Sequence, residues 1–183
     1  MRVEIVDEPE GKTTAFPPED NYLDLRANPQ AVGKIAGARR HLPLWNFLTA
    51  VNGEGSIFAT ANATTRTDLP TTVSADKAYE FASQVELVFA EPSLNFERKR
   101  YLDLGSGLQE LLDRDTPDTV RVVLRISSRD FTAENRLGFC LGIRMVAEGD
   151  SAQQAELRWG LGLARVQQAL LFRSRAQKQQ ISE

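Results

Sequence analysis

Residues 137–145 read Leu-Gly-Phe-Cys-Leu-Gly-Ile-Arg-Met, so large apolar side chains alternate with small or polar ones. This alternation is typical of a β-strand that buries one face, because successive side chains of a strand point to opposite sides of the sheet. One face of the predicted strand carries Leu137, Phe139, Leu141, Ile143 and Met145. The other face carries Gly138, Cys140 and Gly142 and is almost bare, which predicts that another segment packs closely there.

A long amphipathic helix is predicted directly after this strand. Ser151 and Gln154 have the spacing of a capping box, in which each side chain satisfies a free backbone N–H of the first turn. Apolar residues then recur at intervals of four, three and four, which places them on one stripe: Trp159, Leu163, Val166 and Leu170. We expect the helix to reach about residue 177 and to pack on the sheet, with Gly160 and Gly162 against the bare glycine face.

The same period of two recurs elsewhere and predicts the rest of the sheet. The segments concerned are 2–6, 56–64, 79–89, 94–104 and 119–127. Two short helices, over residues 29–40 and 44–51, are predicted before the sheet, since Asn28-Pro29 favours a helix start and Asn52-Gly53 a helix end. The expected fold is therefore α+β: a curved antiparallel sheet of about five or six strands packed on a long C-terminal helix.

The order of these elements is similar to that of the helix-grip fold of the Bet v 1 and START-like families. This resemblance implies an apolar ligand enclosed between sheet and helix. Three regions are expected along the chain. Residues 1–24 form an acidic arm with seven acidic and two basic side chains, residues 25–178 form a single α+β domain, and residues 179–183 form a frayed polar tail.

Composition and charge exclude several classes of protein. The 22 basic and 25 acidic residues give a net charge of −3, so no positive field attracts nucleic acid or an anionic membrane. No segment approaches the roughly 18 consecutive apolar residues of a membrane span, and the acidic N-terminus lacks the pattern of a secretory signal. We therefore expect a cytoplasmic protein. Cys140, the single cysteine, is expected to be a buried thiol rather than a nucleophile.

Arg98 and Arg100 share a face of the predicted strand 94–104 with apolar residues. If that face covers the core, both guanidinium groups point inward and form an anion pocket, because a buried arginine needs an anionic partner. Its expected apolar walls are Phe81, Phe89, Phe96 and Trp159. In the alternative interpretation, both arginines reach solvent or pair with neighbouring acidic residues.

The stretch Tyr101-Leu-Asp-Leu-Gly-Ser-Gly107 resembles the first motif of S-adenosylmethionine-dependent methyltransferases. That resemblance implies a strand that ends in a glycine-rich turn against the cofactor. Gln109 stands where the family usually has another small residue. A strand that simply ends at a glycine turn is the simpler interpretation.

The sequence favours a non-catalytic domain that binds a small, partly apolar and anionic ligand between sheet and helix. The alternative is an assembly module that forms a homodimer through the C-terminal helix. A methyltransferase-like enzyme is a minor alternative. His41, the only histidine, is expected in a capping or surface position. We assign no catalytic residue, metal ligand or cofactor.

Overall fold

The structure is a computed structural model that describes residues 1–8, 13–18, 22–70, 79–113 and 119–181. Six strands form one sheet: β1 (Arg2–Glu8), β2 (Thr14–Phe16), β3 (Phe58–Pro70), β4 (Tyr79–Phe89), β5 (Val120–Phe131) and β6 (Arg136–Gly149). Their order across the sheet is β1-β5-β6-β4-β3, and β2 also pairs with β5. Residues 1–24, predicted as an acidic arm, therefore contribute two strands.

The sheet is mixed. Neighbours from β5 to β3 pair in antiparallel fashion, whereas β1 and β2 run parallel to β5. A parallel pair needs a long connection, and here most of the chain lies between β1 and β5. The predicted α+β class, with a sheet packed on a long C-terminal helix, is confirmed. The parallel edge is the departure from the expected antiparallel pattern.

The described ranges contain four α-helices: α1 (Ala36–Arg40), α2 (Leu42–Asn52), α3 (Arg98–Leu112) and α4 (Ala152–Ile181). Two 3-10 helices cover Pro29–Lys34 and Pro92–Phe96. The predicted capping box starts α4, since Ser151 Oγ accepts from the Gln154 N–H at 3.2 Å and Gln154 Oε1 accepts from the Asp150 N–H at 2.7 Å. Residues 182 and 183 of the predicted frayed tail lie outside the described residues. Within the described part, no helix has the length and apolar character to span a bilayer.

The strand predicted over residues 94–104 is wrong. This segment is the 3-10 helix Pro92–Phe96 followed by the first turns of α3. The side chains that α3 buries are Tyr101, Leu104, Leu108 and Leu112, at helical intervals of three, four and four. Gly105 and Gly107 lie inside this helix, so the strand and glycine turn implied by the methyltransferase resemblance are not formed by residues 101–107.

The main core lies between the sheet and the layer of α2, α3 and α4. Large side chains of β6, among them Leu141 and Met145, pack against the predicted stripe of α4, which is fully buried. Packing of α4 on the glycine face is therefore a wrong prediction, because α4 lies on the large apolar face instead. A Cβ at Gly162 would stand 3.0 Å from Val120, and one at Gly160 would stand 2.9 Å from Pro43.

The bare glycine face of β6 is nevertheless closely packed at Gly138, where another segment approaches as predicted. The 3-10 helix Pro92–Phe96 reaches it, and a Cβ at Gly138 would lie 2.7 Å from the carbonyl oxygen of Asn95. A second, smaller apolar cluster with Val88, Phe131 and Cys140 forms on this side of the sheet.

Candidate functional site

Two of the predicted ligand walls, Phe81 and Trp159, fill the core with their own rings. Their ring centroids are 4.5 Å apart and both side chains are buried. The indole N–H of Trp159 donates to Ser83 Oγ at 2.8 Å. These two residues therefore join α4 to β4 at the point where a ligand was expected.

The His41 ring packs on this pair, with its centroid 4.9 Å from that of Phe81 and 5.9 Å from that of Trp159. Its Nδ1 lies 2.7 Å from Glu156 Oε1 in α4. His41 occupies the predicted capping position, as the C-cap of α1 and the N-cap of α2, although its side chain is only 11% exposed and makes no cap hydrogen bond. Among the described residues, its buried Nε2 has no hydrogen-bond partner. His41 thus links the start of α2 to α4.

The other two predicted walls lie on opposite faces of the sheet. Phe89 packs on Phe58 and Tyr101 in the main core. Phe96 belongs to the second cluster, where its ring contacts Phe131 and lies 4.4 Å from the Arg136 guanidinium carbon. The four aromatic side chains therefore do not surround one cavity.

Arg98 and Arg100 lie at the surface on the first turn of α3, not on a strand face. Arg98 forms an ion pair with Asp7 of β1, and Arg100 Nε donates to Glu97 Oε2 at 2.9 Å. Their side chains are 43% and 40% exposed. Their positions match the alternative interpretation, in which acidic neighbours pair with both arginines.

Cys140 is fully buried, and its Sγ lies 3.3 Å from Ser127 Oγ and 3.4 Å from Arg129 Nε. Arg129 also forms a buried ion pair with Glu86 and contacts Thr14 Oγ1. This polar cluster lies on the sheet face opposite the helices. Within the described ranges, His, Cys, Asp and Glu side chains form no group of three or more that would hold a metal ion.

The outer face of α4, which we define by Leu157, Leu161, Ala164 and Phe172, is unusual in its exposed apolar surface. Leu157, Leu161 and Phe172 are 63%, 61% and 58% exposed. Intervals of four, three and eight residues keep all four side chains on one side of the helix. Leu42 at the start of α2 and Leu111 in α3 add exposed apolar surface on either flank.

A groove runs along each side of the outer face of α4. The groove toward α2 has a volume of about 590 Å³ and is lined by Pro43, Gly160 and Glu156. The groove toward α3 has a volume of about 570 Å³ and is lined by Leu111, Leu171 and Arg175. An apolar ridge between two grooves is a surface onto which another helix can pack.

The sequence prediction assigned a dimer to the C-terminal helix but did not identify this face. The available signal was a second apolar stripe, at residues 157, 161, 164 and 172, opposite the buried stripe that begins at Trp159.

Comparisons with known protein families, with curated proteins and with solved structures find no match to this chain.

Proposed function

We propose that this protein is a non-catalytic assembly module that forms a homodimer through the outer face of α4. The observation that supports this is the distribution of exposed apolar side chains. Seven large apolar residues are exposed in the described part of the chain, and five of them lie on the helical layer: Leu42, Leu111, Leu157, Leu161 and Phe172. Contiguous exposed apolar surface marks an interaction site more often than scattered single residues do.

A second copy of the chain fits this surface because ridge and groove lie side by side on it. Under a two-fold axis, the ridge of Leu157 and Leu161 in each copy enters the groove beside α4 in the other. Gly160 and Ala164 are small, so two α4 helices can approach closely at this point. Each contact then occurs twice.

Charge favours an antiparallel pair of α4 helices. Glu156 lies near the N-terminal end of α4, and Arg175 lies toward its C-terminal end. Antiparallel pairing with the axis near Ala164 brings Arg175 toward Glu156 of the partner subunit, and it also pairs the helix dipoles favourably. The same axis brings Leu157 beside Phe172 of the partner subunit.

The expected affinity is moderate. Burying the exposed part of each leucine or phenylalanine contributes about 1–2 kcal/mol. Association costs on the order of 4–15 kcal/mol because the two copies lose translational and rotational freedom. Only part of the free energy gained by burying apolar surface therefore remains. We therefore expect a dissociation constant in the micromolar range.

Sedimentation equilibrium over a wide range of protein concentration tests the proposal. We expect the wild-type protein to change from monomer to dimer, and the double variant Leu157→Lys with Leu161→Lys to remain a monomer. Leu137→Lys is the matched control, because Leu137 is equally exposed, at 64%, but lies on β6. A wild-type protein that stays monomeric throughout, or a double variant that dimerises like the control, contradicts the proposal.

Cysteine cross-linking tests the orientation of the helices. Cys140 is buried, so an introduced surface cysteine reacts selectively. In an antiparallel pair about Ala164, Ala164→Cys forms a disulfide with its own copy, whereas Leu157→Cys forms one in a mixture with Phe172→Cys and not alone. Efficient cross-linking of Leu157→Cys to itself would instead indicate a parallel pair.

A further inference from the structure

A small recess of about 190 Å³ opens where the end of β4 meets α3 and α4. Its walls include Phe89 from β4, Arg100, Asp103 and Leu104 from α3, and Arg173 and Ala176 from α4. The recess therefore combines two guanidinium groups with an apolar wall. It lies between the sheet and the C-terminal helix.

Arg173 fits into this recess because Gly107 of α3 has no side chain at the place where the guanidinium lies. A Cβ at Gly107 would lie 2.8 Å from the Arg173 guanidinium carbon, so the guanidinium rests directly on the helix at the glycine. The residue is partly buried. Within the part of the chain that the structure describes, no carboxylate or hydrogen-bond acceptor pairs with it.

The other charges around the recess are largely neutralised. Asp103 pairs with Lys99 at 2.8 Å, and Arg100 uses its Nε to pair with Glu97. The terminal N–H groups of Arg100 are additional donors, because a guanidinium carries five. Among the described side chains, none compensates the positive charge of Arg173, which lies next to the donors of Arg100.

We propose that this recess binds a small organic carboxylate, held by Arg173 and Arg100. The planar fork of a guanidinium matches a carboxylate with two parallel hydrogen bonds. Phe89, Leu104 and Ala176 then contact the apolar part of the ligand, which favours an organic carboxylate over inorganic phosphate. The volume corresponds to about six water molecules, which limits the ligand to a small acid.

Calorimetric titration with benzoate, at constant ionic strength, tests this proposal. We expect saturable binding to the wild-type protein and binding at least about tenfold weaker to Arg173→Gln, because hydrogen bonds between charged groups are among the strongest. Arg173→Lys keeps the charge without the fork and should bind with intermediate affinity. Arg158→Gln is the matched control, since Arg158 is on the same helix, lies outside the recess and lines neither groove of the proposed dimer face.

Three results would overturn the proposal: no saturable benzoate binding, equal binding to Arg173→Gln and to the control, or phosphate binding as tight as benzoate binding. If Arg173→Gln fails to fold in a thermal melt, Arg173→Lys and Arg100→Gln supply the comparison. The titration is repeated on the variant carrying Leu157→Lys and Leu161→Lys. Binding that persists there is independent of the proposed dimer.

Discussion

The indole N–H of Trp159 donates a 2.8 Å hydrogen bond to Ser83 Oγ in the interior of the protein. Both residues are buried, and they belong to α4 and β4 respectively. A hydrogen-bonded pair in an apolar core stabilises the fold and also positions the two elements that carry it. The reason is that neither partner finds another acceptor or donor when the other is lost. This hydrogen bond therefore sets the placement of α4 along the sheet.

Ser83→Ala is expected to destabilise the protein by about 1–3 kcal/mol, since it leaves the indole N–H buried and unpaired. Urea unfolding followed by circular dichroism measures the change. Ser93→Ala is a suitable control, because Ser93 is exposed and its side chain donates to Glu91, which is also exposed. Equal stability of Ser83→Ala and wild type would contradict the structural role of this pair.

Two glycines of β6 should respond differently to the addition of one methyl group. Gly138→Ala places a Cβ 2.7 Å from both the Asn95 carbonyl oxygen and the Phe131 ring, and should cost about 1–3 kcal/mol. Gly142→Ala meets its nearest neighbour, the Arg125 backbone, at an ordinary 3.6 Å and should cost little. Urea midpoints of the two variants give the comparison. The reverse order of stability would mean that the 3-10 helix does not pack on this face.

The ion pair between Arg129 and Glu86 is nearly buried, with side chains 9% and 16% exposed. Glu86→Gln leaves a buried guanidinium without its counter-charge. The free energy of unfolding should decrease by roughly 3 kcal/mol. Replacing both residues by apolar ones, Glu86→Leu with Arg129→Met, should recover most of that loss. Asp103→Asn removes the exposed pair with Lys99 and should change the free energy of unfolding by less than about 1 kcal/mol.

The free energy of unfolding should decrease at alkaline pH because of the buried phenol of Tyr101. Burial raises the pKa of its phenol well above 10, with a smaller effect from Cys140, and the hydroxyl donates to Asn95 Oδ1 at 2.6 Å. The folded protein therefore holds this proton more tightly than the unfolded chain does. The resulting stability is complete below pH 10 and is lost progressively as the pH rises above 10.

Tyr101→Phe tests this dependence. The variant should be less stable than wild type at pH 8, because Asn95 loses a partner, yet its free energy of unfolding should decline less steeply between pH 10 and 11. Tyr79→Phe is the control, since Tyr79 is exposed. A wild-type decline no steeper than that of Tyr101→Phe would exclude a contribution from this phenol.

The elements that are predicted correctly are those in which the spacing of apolar residues along the chain matches the face that is buried in the structure. In β4 and β6 the period of two follows the buried face, and the capping box at Ser151 starts α4 where it was expected. The strand predicted over residues 94–104 is wrong because apolar residues also alternate in this part of the helix, and Gly105 and Gly107 resemble a chain break in the sequence. In a helix, Gly107 is tolerated because Arg173 occupies the space of its side chain.

The predicted site could not follow from periodicity alone. Whether Phe81 and Phe96 meet depends on which side of the sheet each element packs, and a pattern along the chain contains no such information. The predicted core position of Arg98 and Arg100 depends on their segment being a strand, whereas it is the first turn of α3. The outer face of α4 was in principle visible, since helical spacing defines the exposed stripe as clearly as the buried one.

The parallel edge formed by β1 has a consequence for biosynthesis. Arg2 pairs with Arg121 and Val3 with Val122, so β1 acquires its neighbour β5 only after the long segment between Glu8 and Val120 has been synthesised. Until then the antiparallel strands β3 and β4 and the helices α1, α2 and α3 are the segments able to associate. We therefore expect β1 to pair later than β3 and β4, which are separated by a much shorter segment.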